Sequence, residues 1–148
     1  MHQSFSDQTD FTAEGEYLLG SDYKLAAQFT SPWFYANFQR TSTSPSIAQN
    51  WVHNISYRWK NDFANIQFDV LEGGLTYRSK QFYVKPYVTI QRIGNWVYFD
   101  SLANVKQTKE AIGVFRTSVD LGGNFGKFEW GTRFHANTSS GPDIIRMP

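Results

Sequence analysis

Few residues of this 148-residue chain have a type and spacing that suit catalysis. Its three histidines, His2, His53 and His135, lie far apart with no ligand spacing, so no metal site is expected. Ser56 stands near His53, yet no G-x-S-x-G elbow is present and no acid partner is placed. Gly122-Gly123-Asn124-Phe125-Gly126 is no phosphate cradle: no Lys-Ser/Thr pair follows, and a strand pattern comes next. Asn54-Ile55-Ser56 and Asn137-Thr138-Ser139 match a glycosylation sequon, a chance match if the protein is bacterial. Cysteine is absent, which excludes a disulfide scaffold and thiolate metal ligands. Neither a cofactor nor an enzymatic activity is expected.

What remains is a polar row: Glu14, Glu16, Lys24, Gln28, Lys85, Gln91, Arg116, Asp120, Lys127, Glu129 and Arg133. Each sits in an alternating segment. Such residues make and break no bonds, but they can solvate a passage and bias which solutes cross it. The same row would also serve as the solvated face of an ordinary antiparallel sheet. Its signs are mixed, so strong ion selectivity is not expected.

Strands must position this row. The clearest stretch is Gln81–Asp100. Phe82, Val84, Pro86, Val88 and Ile90 share one face, and Tyr83, Lys85, Tyr87, Thr89 and Gln91 share the other. A strand of this length is long for a soluble sheet and suits a bilayer, which takes roughly 9–11 tilted strand residues. Five further strands are expected, at Phe11–Gly20, Tyr23–Arg40, Ile66–Tyr77, Thr108–Leu121 and Phe125–Asn137. Ser21-Asp22, Arg78-Ser79-Lys80 and Gly122-Gly123-Asn124 read as their short turns, and Pro32 as a bulge or the end of a spanning part. Thr41–Asn65 reads as a long irregular loop of extracellular type, and Ser101–Gln107 as a polar loop. Short and long connections alternate, as in an up-and-down membrane barrel. At the long-loop ends stand Trp33, Phe34, Tyr35, Trp96, Tyr98 and Phe99, the expected interfacial girdle. Stacking of sugars on these rings is a sharper reading of the same residues.

Composition bounds the class. The length suits one domain. The aromatic share is 18%, with 13 Phe, 8 Tyr and 5 Trp, which favours strands. Basic and acidic residues balance at 14 to 13, so no nucleic-acid footprint exists. No apolar run reaches 18 residues, so no transmembrane helix is expected. A mean hydropathy of −0.47 does not argue against a membrane barrel, because lumen-facing polar residues dilute the apolar half of each strand. Residues 1–7 lack the basic and apolar regions of a signal peptide, and Ile144-Ile145-Arg146-Met147-Pro148 could open a new strand. The expectation is a fragment of a larger barrel.

Three stretches carry a resemblance: Tyr57-Arg58-Trp59-Lys60-Asn61-Asp62-Phe63, Asn95-Trp96-Val97-Tyr98-Phe99-Asp100, and Gln107 beyond it. In order and spacing they resemble the putative porin family of Bacteroidota, whose pattern is W-x-N-x-F, then N-[YW]-[IV]-Y-[FY]-[DN], then a proline-glutamine pair. Trp59, Asn61, Phe63, Asn95 and Gln107 match it. Lys106-Gln107 departs from the proline-glutamine pair. Ile145-Arg146-Met147-Pro148 resembles the family's next strand opening. The resemblance covers roughly Ala26 to Pro148 and implies an interior portion of a larger outer-membrane β-barrel. The expected fold is thus all-β, an antiparallel meander of about six strands within a transmembrane barrel. The expected function is passive diffusion of small solutes through a polar lumen, with the outer-membrane lipid bilayer and those solutes as partners. The alternatives are a soluble lipocalin-like barrel that binds an apolar ligand, and an outer-membrane barrel plugged by its own loops.

Overall fold

The structure, a computed structural model, describes residues 2–6, 9–18, 20–53 and 58–141. Ser56, the first sequon's Asn54, Tyr57 and the terminal Ile144–Pro148 motif lie outside the described residues. One antiparallel sheet dominates. Its strands are β1 (His2–Ser6), β2 (Thr9–Tyr17), β3 (Tyr23–Thr30), β4 (Phe34–Thr43), β7 (Ile66–Leu75), β9 (Phe82–Gly94), β12 (Ile112–Phe125) and β13 (Phe128–Ser140). They lie side by side in chain order, and the two-residue β8 (Tyr77–Arg78) also pairs with β9. The fold is therefore an all-β, up-and-down antiparallel meander. Among the described residues β1 pairs only with β2 and β13 only with β12, so the sheet has two edges.

Several boundaries differ from the sequence reading, each for a local reason. The expected single strand Tyr23–Arg40 is two strands. Ser31, Pro32 and Trp33 form a tight turn in which the Ser31 hydroxyl accepts from Phe34 N–H at 3.1 Å, and Ser31 N–H donates to Phe34 C=O at 2.8 Å. Proline presets φ for such a turn. The strand Gln81–Asp100 stops at Gly94, because Asn95 takes φ 56° and turns the chain out of the ladder. The Gly122-Gly123-Asn124 turn is instead mid-ladder, and the reversal occurs at Gly126-Lys127, with Gly126 at φ 62°. Both glycines are needed within the strand: a Cβ at Gly123 would meet the carbonyl of Gln81 at 2.5 Å.

The Thr41–Asn65 segment is not irregular throughout. Thr41–Thr43 completes β4, and Ser46 then caps a one-turn helix α1 (Ile47–Asn50). Gln49 closes that capping box, and a small hairpin of β5 (Trp51–His53) and β6 (Arg58–Lys60) follows. The Ser101–Gln107 loop likewise contains β11 (Val105–Gln107), paired with β10 (Val97–Phe99).

Splitting the second strand re-sorts the connections. Segments 18–22, 44–65 and 95–111 lie at one end of the sheet; 31–33, 76–81 and 126–127 lie at the other. The short Ser21-Asp22 link thus shares an end with the long loops. Among the described residues the asymmetry survives as an end with shorter connections and an end with the larger loops.

Candidate functional site

The registers sort every strand residue onto one of two faces. One face carries, along successive strands, Ala27, Phe38, Leu71, Ile90 and Phe115 in a single cross-strand row. The other carries the row Gln28, Asn37, Glu72, Thr89, Arg116 and Asn137. On the central strands their burial is inverted relative to a soluble sheet, whereas the polar-face residues Lys24 and Gln28 of β3, Arg116 of β12, and Glu129 and Arg133 of β13 are exposed. On β9 the apolar-row residues Phe82, Pro86 and Ile90 are exposed, whereas no residue of the polar row from Tyr83 to Ile93 is. On β12 Phe115 and Thr117 are exposed while Ser118 opposite them is only 1% accessible.

The polar face is also concave. A cavity of about 470 Å³ is lined jointly by Gln28 and Thr30 of β3 and by Asp120 and Arg133 of β12 and β13. Five strand spacings, about 24 Å on a flat sheet, separate β3 from β13. One cavity of this size touches both because the sheet curls around its polar side.

Glu14, Glu16, Lys24, Gln28, Lys85, Gln91, Arg116, Asp120, Glu129 and Arg133 all fall on this polar face. Lys127 does not; it sits in the two-residue turn. The sequence row omitted Glu72, Tyr35, Tyr83 and Tyr87, although strand parity places each opposite an apolar neighbour. Lys85, Asp120 and Arg133 form one cross-strand row, in which Arg133 donates to both Asp120 carboxylate oxygens at 2.6 and 2.8 Å. Thr89 donates to Glu72 at 3.1 Å, and Arg116 donates to the Asn137 amide oxygen at 2.8 Å. The Lys85 ammonium lies 5.7 Å from the Tyr83 ring centroid, within cation–π range.

Of the six expected girdle residues, Trp96, Tyr98 and Phe99 stand at the long-loop end and Trp33, Phe34 and Tyr35 at the opposite one. Trp33 and Phe34 stand at the tight-turn end, with Phe34 outward, while Tyr35 points to the polar side. Outward-facing Phe82, Trp130, Phe125 and Phe128 join Phe34 at that end. Trp96 packs edge-on against Phe68 at 6.3 Å, and Phe68 belongs to the polar-side row with Ile93 and Ile112. The buried apolar side chains Val97, Ile112 and Val114 lie in this same region. The loop after β9 therefore folds back over the polar side and closes a small apolar core there. Phe99 meets Trp59 of the other long loop edge-on at 6.4 Å, and Tyr98 lies in β10.

The motif residues hold these loops together. Gln107 donates to the carbonyls of Ala64 and Asn95 and accepts from Ala64 N–H. Asn95 donates to Asn65 C=O, and Asn61 donates to Gln49 C=O. Asn65, which the sequence did not single out, donates to Ser21 C=O and to the Ser42 hydroxyl, tying the third connection at this end. Phe63 lies in the same segment between Asn61 and Ala64. At the β10–β11 tip the Asp100 carboxylate accepts from Leu102 N–H, Asn104 N–H and the Lys106 ammonium at 2.9 Å. The Lys106 ammonium, then the Asn104 amide, hold that carboxyl well below the usual carboxylate range.

This loop lattice, set on a sheet with its apolar face outward, uses the residues that carried the family pattern. A family model described as "Putative porin" matches residues 1–148. The chain belongs to that family. Comparison with curated proteins and with solved structures finds no match. Within the putative porin family a non-enzymatic barrel protein is the coarse reading, and the inward polar and outward apolar faces are its expected anatomy. Among the described residues no group of three or more His, Asp or Glu is placed to hold a metal ion.

Proposed function

We propose that this chain forms part of the wall of an outer-membrane β-barrel through which small solutes diffuse passively along the polar face. The inverted burial of the central strands carries the reading: on β9 the apolar residues Phe82, Pro86 and Ile90 are exposed and the polar row is covered, and on β12 Phe115 is exposed while Ser118 is buried. In water that arrangement would leave a continuous apolar surface wet. In a bilayer it faces lipid. From Phe82 to Ile90 the outward row of β9 is apolar, and the next outward residue is Arg92. That span of nine residues matches a tilted bilayer crossing of roughly 9–11 residues. Arg40 and Asp69 pair at 2.6 Å in the same row as Arg92, a charged row that on this reading meets the headgroups. A soluble lipocalin-like barrel would have the opposite polarity.

Unpaired strand edges are not tolerated in hydrocarbon, so on this reading further strands close the sheet at β1 and β13. The glutamates, lysines and arginines of the polar row then line the lumen. The packing of Trp96 on Phe68 supports a second reading, a barrel narrowed or plugged by its own loop. Liposome swelling decides between them. Protein reconstituted at its native length should admit small neutral solutes at a rate that falls with solute size. Membrane insertion without solute entry would leave the plugged barrel standing. Stable monomeric β-structure in water without detergent would overturn both.

A further inference from the structure

We propose that the 470 Å³ cavity on the polar face is a selectivity site for neutral, hydroxyl-rich solutes, sugars in chemical class. The proposal rests on the lumen reading above and adds which solutes the lumen favours. The cavity is of ligand size. Its charged lining residues are Glu72, Asp120, Lys85 and Arg133, two of each sign. They are engaged locally. Asp120 and Arg133 clamp each other through two hydrogen bonds, Glu72 accepts from Thr89, and the Lys85 ammonium, in the same row as Asp120, lies 5.7 Å from the Tyr83 ring centroid. A lining whose charges sum to zero leaves little net field to select an ion, and the clamped Asp120–Arg133 pair does not readily part to bind the two ends of a zwitterion. They still present unused donor and acceptor edges, because a guanidinium has five N–H groups and a carboxylate about four lone-pair sites.

The rings complete the chemistry. Tyr35 and Tyr87 line the same cavity. Tyr35 lies against Gly74, where a Cβ would sit 2.7 Å from its Cε1, so one side of the ring rests on backbone. Glycine at this position lets the ring lie close to the wall instead of standing into the lumen. A flat aromatic beside planar hydrogen-bonding groups suits a pyranose, which has apolar C–H faces and an equatorial rim of hydroxyls. Gln28, Thr30, Ser31 and Thr76 add neutral donors and acceptors around the rim.

Planar-bilayer recordings of the native-length protein test this, with maltose as the neutral probe and potassium chloride as the charge carrier. Maltose should interrupt the current in a concentration-dependent way, with potassium and chloride permeabilities within about threefold. Tyr35→Ala should raise the half-blocking concentration about tenfold, and Tyr35→Phe, which keeps the ring on Gly74, should stay near wild type. An open channel indifferent to maltose, or one that prefers one ion tenfold, overturns the proposal and leaves the porin reading intact. With no current at all the porin reading fails, and calorimetric titration of maltose into the detergent-folded protein decides the site alone. Binding that Tyr35→Ala abolishes and Tyr35→Phe keeps would uphold it. Absence of binding would refute it.

Discussion

The ring of Tyr83 on β9 lies across Gly122, its register partner on β12. A Cβ at position 122 would come 2.5 Å from the ring's Cε1 and Cζ atoms. The hydroxyl reaches on toward Gly131 of β13, where a Cβ would be 3.6 Å away. One tyrosine thus covers two glycines on successive strands. Gly122→Ala should displace the ring and destabilise the folded protein by about 1–3 kcal/mol, the usual cost of overpacking. In a Tyr83→Ala background the same substitution should cost much less, because the two positions share one contact. Urea titration of the detergent-folded protein measures both. Equal costs in the two backgrounds would refute the contact.

The assignment of faces predicts a sharp contrast between adjacent residues. Ile90 lies on the exposed apolar face and Gln91 on the covered polar one. Ile90→Arg should lower insertion stability by about 2–4 kcal/mol if the position lies near the bilayer midplane, and by less toward the interface. Gln91→Arg should change it by under about 1 kcal/mol. Folding titrations into lipid vesicles read the difference. The opposite ranking would reverse the assignment of lipid and lumen.

Gln107 joins the two long loops through two hydrogen bonds to Ala64 and makes a third to Asn95 within its own loop. Gln107→Ala should leave the sheet folded and loosen the loops, since each lost hydrogen bond is worth about 0.5–1.5 kcal/mol. Limited proteolysis should then cut within residues 44–65 or 95–111 at least several-fold faster, with heat-modifiable gel mobility unchanged. Unchanged cleavage would mean that the Trp59–Phe99 and Trp96–Phe68 contacts suffice by themselves.

The hairpin tip carries a pH signature. Lys106 and the Asn104 amide lower the native pKa of Asp100. A carboxylate with a depressed native pKa contributes stability in full above its unfolded value of about 3.9. The contribution shrinks as pH falls below that value and is gone once the pH passes the native pKa. Protection of the tip, followed by amide hydrogen exchange at Asn104, should therefore persist from neutral pH to about 5 and fall in stronger acid. Asp100→Asn should lack it at every pH. Loss of protection already near pH 6 would contradict the geometry.

Much of this architecture was legible in the chain because strand periodicity is local. Parity alone separates Phe82, Val84 and Ile90 from Tyr83, Lys85 and Gln91, and nearly all of the polar row lies on one face of the sheet. Breaks in that periodicity were harder to place. The Ser31–Phe34 turn is masked by Trp33, and the glycines at 122 and 123 resemble a turn until Tyr83 and the Gln81 carbonyl are seen beside them. Glu72 and Tyr35 meet only because β4, β7 and β9 bring separate stretches to one wall. The sequence by itself determined strand type, the two faces and the family. Only the tertiary structure decided which face is covered, because burial depends on how the sheet curls and not on alternation. It also decided the inward placement of Trp96 and the lattice made by Asn65, Asn95 and Gln107, since these contacts span tens of residues and no local pattern encodes them.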